Sequence, residues 1–504
     1  VGCRVIALGA LSGRFAPLVN NAPRATNRQP TTREAQLECA AMRKTAIAFA
    51  ALFVFIAGLQ AQELPAEMRA SIDKAATDIL AKSGAPSASV AVVRDGKIVY
   101  EHAYGLANVE TKMAATPQMR YSIGSISKQF TAAALLMLAE EGKLSLDDKV
   151  IRWLPDLTRA GDVTIRQLLS MTSGYQDFWP QDYVMPMMMK PVTADAILTG
   201  WAKKPLDFEP GAKWQYSNTN YVAAGMVAEK VAGMPLLDFL QKRVFVPLKM
   251  TTVSNTDAAP LGAGDPMRYL RYALGPVRPA PKEGAGWMFA AGELAMTAHD
   301  LALWDISMID QTVLKPESYR ALESEVKLKN GVGSRYGLGV GIGVTDGRRV
   351  ISHGGEVSGF TARNEVYPDD RVAIVVLTNM DATGTPAQIA TAISKAIFAS
   401  TDPATPKMTE QMRKIFDELQ KGRIDRSQFT SNANAYFEEQ AIKDFASSLS
   451  PLGAPQEFVQ SAQSLRGGMT LRRYRIKFPT KTLALTTFIM PDGKIEQYQI
   501  AAAE

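Results

Sequence analysis

The sequence predicts a mixed fold of the α/β (α+β) class, with an antiparallel sheet flanked by helices and a small C-terminal α+β domain. Two observations predict it. Strand-like runs rich in Val, Ile and Thr gather near residue 90 and again between residues 336 and 377, with helical patterns and long loops between them. A Pro-containing segment then separates off a last stretch with its own helices and strands.

Taken in order, residues 87–104 read as a hairpin, because alternating apolar strands flank Asp95-Gly96, a pair suited to a tight turn. Strands over 336–345, 348–352, 361–367 and 371–377 are expected to join it in one antiparallel sheet, covered by helices such as 386–398. Residues 144–296 are mostly helices and long loops. Thr401-Asp402-Pro403-Ala404-Thr405-Pro406 reads as a linker. After it come helical patterns at 409–421 and 432–449, then strands at 470–477, 482–490 and 494–501, the last two turned by Pro491-Asp492-Gly493.

Composition bounds the function. The 504 residues, 46% apolar, suffice for large cores and more than one domain. The formal charge of +6 comes mainly from residues 1–61, which hold seven Lys or Arg and two Asp or Glu; without them 49 basic face 48 acidic residues, a net of +1. A nucleic-acid partner loses its support. Met42-Arg43-Lys44 followed by the apolar run 46–58 and Leu59-Gln60-Ala61 reads as a secretory signal peptide, whose 13-residue core falls short of the ~20 a membrane span needs. Residues 1–41 are expected to lie ahead of a true start at Met42, so 1–61 form leader and signal, 62–400 the main domain and 401–504 the C-terminal domain, in a periplasmic or secreted protein. Both cysteines, Cys3 and Cys39, fall in the leader, which leaves the mature chain no thiol nucleophile, disulfide or cysteine metal site.

The chemistry is carried by three short motifs. In Ser125-Ile126-Ser127-Lys128 a lysine follows a serine by one helical turn, so its amine reaches the hydroxyl and can take its proton. The apolar segment 130–141 reads as a buried helix starting near Ser125, whose free N-terminal N–H groups suit a developing oxyanion. The serine-x-x-lysine pairs at Ser71 and Ser324 lie in charged surroundings and read as surface positions. Tyr216-Ser217-Asn218 sits on a loop after Glu209-Pro210-Gly211; an adjacent ammonium gives Tyr216 a reason to ionise near neutral pH, and the Asn218 side-chain carbonyl can hold Lys128. His353-Gly354-Gly355 is expected after the strand 348–352, where the glycines let a substrate backbone approach. His102 reads as a structural strand residue and His299 as a helix start, while Lys329-Asn330-Gly331 reads as a turn. The methionines at 185–189 read as packing in the helical lobe, with a soft rim to the cleft as the alternative. Of Trp179, Trp201, Trp214 and Trp287, Trp214 is the best placed to flank a substrate, and the other three read as core residues.

These motifs resemble the serine β-lactamase and penicillin-binding superfamily, in the branch that groups class C β-lactamases with D-stereospecific peptidases and family VIII carboxylesterases. The likeness covers about residues 85–400 and includes Tyr104-Gly105-Leu106-Ala107-Asn108, Leu168-Leu169-Ser170-Met171-Thr172-Ser173-Gly174 and Val375-Val376-Leu377-Thr378-Asn379. It implies a β-lactamase/transpeptidase-like fold with a helical lobe at 144–296, and a cleft between lobe and sheet. It further implies acylation of Ser125 by an amide or ester, proton transfer shared by Lys128 and Tyr216, and an oxyanion hole from the backbone N–H groups of Ser125 and Glu356. Asn218, His353, Gly354 and Gly355 would bind substrate, a small molecule or peptide of cell-wall type, with no metal or organic cofactor. Class C enzymes place a lysine, a lasting cation, where His353 stands, whereas a histidine with its unperturbed pKa of ~6.5 is only partly charged at neutral pH. The family often has a histidine at Met171; the histidine form at 353 is that of D-aminopeptidase-like and carboxypeptidase-like members, so weak β-lactam turnover is expected. Two alternatives remain open, a penicillin-binding sensor that acylates without turnover and a carboxylesterase.

Overall fold

The computed structural model describes residues 63–503 apart from Asp182, Asp402 and Pro403; the leader and signal peptide expected at 1–61 lie outside the described residues. Helix α1 (Ala66–Ser83) leads into the expected hairpin, β1 (Ser87–Arg94) and β2 (Lys97–Asn108), with Arg94 opposite Lys97 across Asp95-Gly96. A two-residue strand β3 (Met113–Ala114) follows, then α2 (Lys128–Glu140), α3 (Asn218–Ala232) and α4 (Ala298–Asp310). Four strands complete the sheet: β4 (Gly341–Thr345), β5 (Arg348–Val357), β6 (Phe360–Tyr367) and β7 (Val372–Thr378). The seven strands run β3-β2-β1-β7-β6-β5-β4, with antiparallel pairing throughout.

The central strands are buried on both faces, which explains their continuous apolar character. On β1, Val90 and Val92 point toward α1 and α5 (Thr385–Thr401), while Ala91 and Val93 point to the core that contains α2 and α4. Strand β7 splits the same way, Val372, Ile374 and Val376 against Ala373, Val375 and Leu377. Residues between α2 and α4 form short helices, 3-10 and π turns and long loops around α3, as expected for the lobe, and share the core of α2.

Two sequence expectations are corrected. The strand predicted at 348–352 continues to Val357, so His353-Gly354-Gly355 lies inside β5 rather than after it. Glycine is a poor strand former alone, but pairing with β6 from Ile351 opposite Val366 to Val357 opposite Phe360 holds it extended. The neighbour on the other side, β4, pairs only as far as Ser352 opposite Gly341, which leaves that edge of residues 353–357 without a strand partner. The linker expected at 401–406 is largely helical: α5 ends at Thr401 and α6 (Ala404–Gln420) begins at Ala404, with Pro406 in a first turn where no helical N–H is missed.

The C-terminal domain continues with α7 (Ser431–Tyr436), α8 (Glu439–Leu449) and a four-stranded antiparallel sheet, β8 (Glu457–Arg466), β9 (Met469–Lys477), β10 (Thr482–Ile489) and β11 (Ile495–Ala502), in that spatial order. Met412, Phe416 and Leu419 of α6 pack with Tyr474, Ile476, Leu485 and Tyr498 of the sheet in a separate core. Strand β8 was not anticipated.

Candidate active site

A 3-10 turn, Gly124–Ser127, runs directly into α2 and carries Ser125. From Tyr121 to Leu138 every residue is buried except Ser125, so the core itself presents this one hydroxyl to solvent. The turn is pressed against β5. A Cβ on Gly124, which has φ +52°, would sit 2.6 Å from Glu356 N, and a Cβ on Gly355 would sit 1.9 Å from Ile123 O. Both positions therefore require glycine.

Lys128, one turn on, is fully buried. Its Nζ lies 2.8 Å from each of three acceptors, Ser125 Oγ, Asn218 Oδ1 and Ala291 O. Burial pushes the amine down to about 7, opposed by the charge of Asp177. Two of the acceptors are carbonyls and can only accept. A neutral amine thus donates its two protons to them and turns its lone pair to the Ser125 hydroxyl, the arrangement that a base needs.

Tyr216 and Asn218 occupy the loop and first residue of α3, as expected. The Tyr216 ring centroid lies 5.0 Å from Lys128 Nζ. The expectation that Tyr216 ionises near neutral pH is corrected: burial pushes its phenol well above the usual range, more than its contact with Ser125 lowers it. The cation invoked to stabilise a phenolate is itself pushed down to about 7 by burial, and Tyr216 is a neutral phenol that can donate or relay a proton.

His353 is buried on β5. Its Nδ1 faces Gly354 O at 2.5 Å and its Nε2 faces the Tyr336 hydroxyl at 2.8 Å. A carbonyl accepts only, so Nδ1 carries the proton and Tyr336 donates to Nε2. Burial, then the neighbouring Lys128 charge, push the imidazole down to about 3. The ring is neutral at pH 7 rather than partly charged, and both its nitrogens are engaged.

These residues line a cleft of about 650 Å³. Ser125, Tyr216, Asn218, His353, Gly354, Gly355 and Glu356 all reach it. One wall is aromatic: Phe178, Trp179 and Trp287 line the cleft, while Trp201 packs behind on Phe178 and Trp287. Trp179, expected in the core, is thus corrected to a partly exposed wall residue, and Trp287 is both core and wall. Trp214 does not line the cleft; its ring packs at a tilt against Tyr336, with centroids 5.7 Å apart. The alternative of a methionine rim fails, for none of Met185, Met187, Met188 and Met189 lines the cleft; Met188 is buried in the core and Met185 packs against it, while Met187 and Met189 are exposed. Sequence reasoning missed Asp177, Tyr336 and Arg363, although Asp177 lies only three residues beyond the quoted Ser173-Gly174. Ser71 and Ser324 are exposed, His102 lies between the rings of Tyr100 and Tyr104, and His299 is the second residue of α4, bonded to Glu101.

Residues 72–396 match the beta-lactamase family model. The chain is 31% identical over 308 residues to a D-aminopeptidase of Brucella anthropi, covering 59% of this chain and 56% of that protein. It is 30% identical over 313 residues to penicillin-binding protein 4* of Bacillus subtilis (strain 168), covering 58% and 68%. The alignment thus spans little more than half the length of the D-aminopeptidase. Among solved structures, the D-amino acid amidase of Ochrobactrum anthropi SV3 complexed with L-phenylalanine amide aligns with a TM-score of 0.60 at 25% identity, over 66% of this chain and 99% of that one. The octameric penicillin-binding protein homologue from Pyrococcus abyssi shares the fold over 86% of this chain and 99% of its own, with a TM-score of 0.59 at 21% identity. The family match takes in every residue that lines the cleft, from Ser125 to Ala387, and the chain therefore belongs to the beta-lactamase family.

Proposed function

We propose that the protein is a serine hydrolase that opens amide or ester bonds of D-amino-acid amides, peptides or esters through an acyl-enzyme on Ser125. The observation that carries this reading is the buried Lys128 amine, 2.8 Å from the serine hydroxyl and tuned to about 7. Ser125 Oγ attacks the carbonyl carbon as its proton passes to Lys128 Nζ, and the C=O electron pair moves onto oxygen. The backbone N–H groups of Ser125 and Glu356 receive that oxyanion. Collapse expels the amine or alcohol, which takes a proton relayed by Tyr216 and Lys128. Water then attacks the acyl carbon along the same path and frees Ser125.

The D-aminopeptidase and D-amino acid amidase relatives support the substrate class. The neutral, doubly engaged His353 supports weak β-lactam turnover, since it offers no lasting cation to a substrate carboxylate. Export through the segment 42–61 is part of the proposal; N-terminal sequencing of the secreted protein should find a start close to residue 62.

The test is a panel of D- and L-phenylalanine p-nitroanilides, p-nitrophenyl acetate and a chromogenic cephalosporin, run on the wild type and Ser125→Ala. Ser125-dependent turnover with D over L selectivity is expected. A stable adduct without product release would favour a penicillin-binding sensor, ester turnover without action on the anilides would favour a carboxylesterase, and full activity of Ser125→Ala would refute the reading.

A further inference from the structure

Asp177, on the loop across the cleft from β5, has contacts that point inward to the catalytic lysine. Its Oδ1 accepts the backbone N–H of Asn218 at 2.9 Å and that of Trp179 at 3.2 Å, and its Oδ2 faces Asn218 Nδ2 at 3.4 Å. The opposite end of the same amide, Asn218 Oδ1, accepts from Lys128 Nζ at 2.8 Å. An amide turned end for end would set its NH₂ against the Lys128 N–H groups and its carbonyl oxygen against a carboxylate. Asp177 therefore determines which end of Asn218 meets Lys128.

We propose that Asp177 is a positioning residue for the acylation step: it locks the Asn218 amide so that its carbonyl holds the Lys128 amine toward Ser125. The proposal rests on the serine mechanism above and deepens it.

The groups facing the lysine on every side allow the charge effect to be isolated. Ser125 lies on the 3-10 turn, Tyr216 on the loop before α3, Tyr221 on α3 with its ring centroid 5.6 Å from Nζ, Asp177 on the far loop and His353 on β5. Tyr216 and Tyr221 are pushed upward by burial, and His353 is held neutral. Among these, Asp177 is the acidic group that pulls the lysine upward, against the burial that lowers it; burial also raises the Asp177 carboxyl, opposed by its hydrogen bonds from the Asn218 and Trp179 backbone and by Lys128. Removing the carboxylate thus shifts the lysine further down, and the free base persists to lower pH. A helix-capping role alone predicts no such movement, because a cap acts on the backbone of α3 whether or not Lys128 is protonated.

The experiment follows p-nitrophenyl acetate hydrolysis against pH for the wild type, Asp177→Asn, Asp177→Glu, Asn218→Ala, the double variant Asp177→Asn/Asn218→Ala, and Ser125→Ala. For Asp177→Asn, kcat on the alkaline plateau should fall about 10- to 100-fold, the loss of one charge-assisted hydrogen bond in the transition state, with KM little changed. The acid limb of kcat/KM should move below its wild-type position, and Asp177→Glu should restore it. On the plateau, where the lysine is already free base, the double variant should be no slower than Asn218→Ala, because one function is lost once. An unmoved acid limb in Asp177→Asn, or losses that multiply in the double variant, would overturn the proposal. Should Asp177→Asn fail to fold, a shifted limb in the charge-preserving Asp177→Glu would do the same. These outcomes are separable from failure of the serine mechanism itself, which shows as undiminished hydrolysis by Ser125→Ala.

Discussion

Tyr336 donates its hydroxyl proton to Nε2 of His353 at 2.8 Å, and the other ring nitrogen is committed to Gly354 O. The imidazole therefore serves as a neutral, fixed part of the cleft floor. Its charging is suppressed down to about pH 3, whereas in the unfolded chain it charges near ~6.5. Below ~6.5 the unfolded state binds a proton that the native state refuses, so stability falls as pH falls. Between pH 7 and pH 5 this contribution amounts to about 2 kcal/mol. His353→Gln should lose less stability over that interval than the wild type, as read from urea unfolding at the two pH values.

Lys128 gives the complementary expectation for activity. Its base form is the reactive one, and its amine titrates at about 7, so kcat/KM should be lost as pH falls through about 7. Lys128→Ala should lower kcat by about 10²- to 10⁴-fold and abolish that limb, measured by steady-state hydrolysis of p-nitrophenyl acetate. Persistence of the limb in the variant would assign it to another group.

Gly355 meets the nucleophile turn too closely for any side chain, its Cβ position lying 1.9 Å from Ile123 O. Gly355→Ala should push the turn 124–127 off β5 and cut covalent labelling of Ser125 by a fluorophosphonate probe by more than tenfold. The thermal midpoint should fall as well, by an amount set by a strain of about 1–3 kcal/mol. Gly354→Ala, next in sequence, meets nothing nearer than 3.9 Å and should label normally.

Trp179 stands on the aromatic wall of the cleft, partly exposed. Trp179→Ala should raise KM for p-nitrophenyl phenylacetate several-fold, consistent with about 1 kcal/mol of aromatic contact, and leave p-nitrophenyl acetate nearly unaffected. Equal changes for the two esters would place the acyl group elsewhere.

Much of this architecture was legible because it rests on local chemistry. Asp95-Gly96 announced its hairpin, and the apolar run after Lys128 announced a buried helix, since both signals depend on neighbours in sequence. Ser125, Lys128 and Asn218 were legible for the same reason: a one-turn spacing and a carbonyl of known reach fix which groups meet. What sequence could not reveal depends on long-range packing. The extension of β5 through two glycines comes from β6 and from the turn at Gly124, and β8 is a polar edge strand whose Glu, Gln and Ser residues carry little strand signal. The charge states of Tyr216 and His353 were misjudged because burial dominates both: it outweighs the Ser125 contact at the phenol and acts together with Lys128 at the imidazole, an effect set by the depth of the cleft. Asp177 escaped notice because its partner lies 41 residues away.

The single opening at Ser125 in an otherwise buried segment from Tyr121 to Leu138 divides the molecule into parts with different freedom to vary. Reactivity is built into the interior, whereas the cleft's outer boundary is drawn by the loop that carries Asp177 and Trp179 and by the loop that leads into α5 around residues 381–384. New selectivities can therefore be bred by diversifying those loops while the chemistry is inherited intact. Libraries aimed at the nucleophile's own helix will yield chiefly misfolded chains.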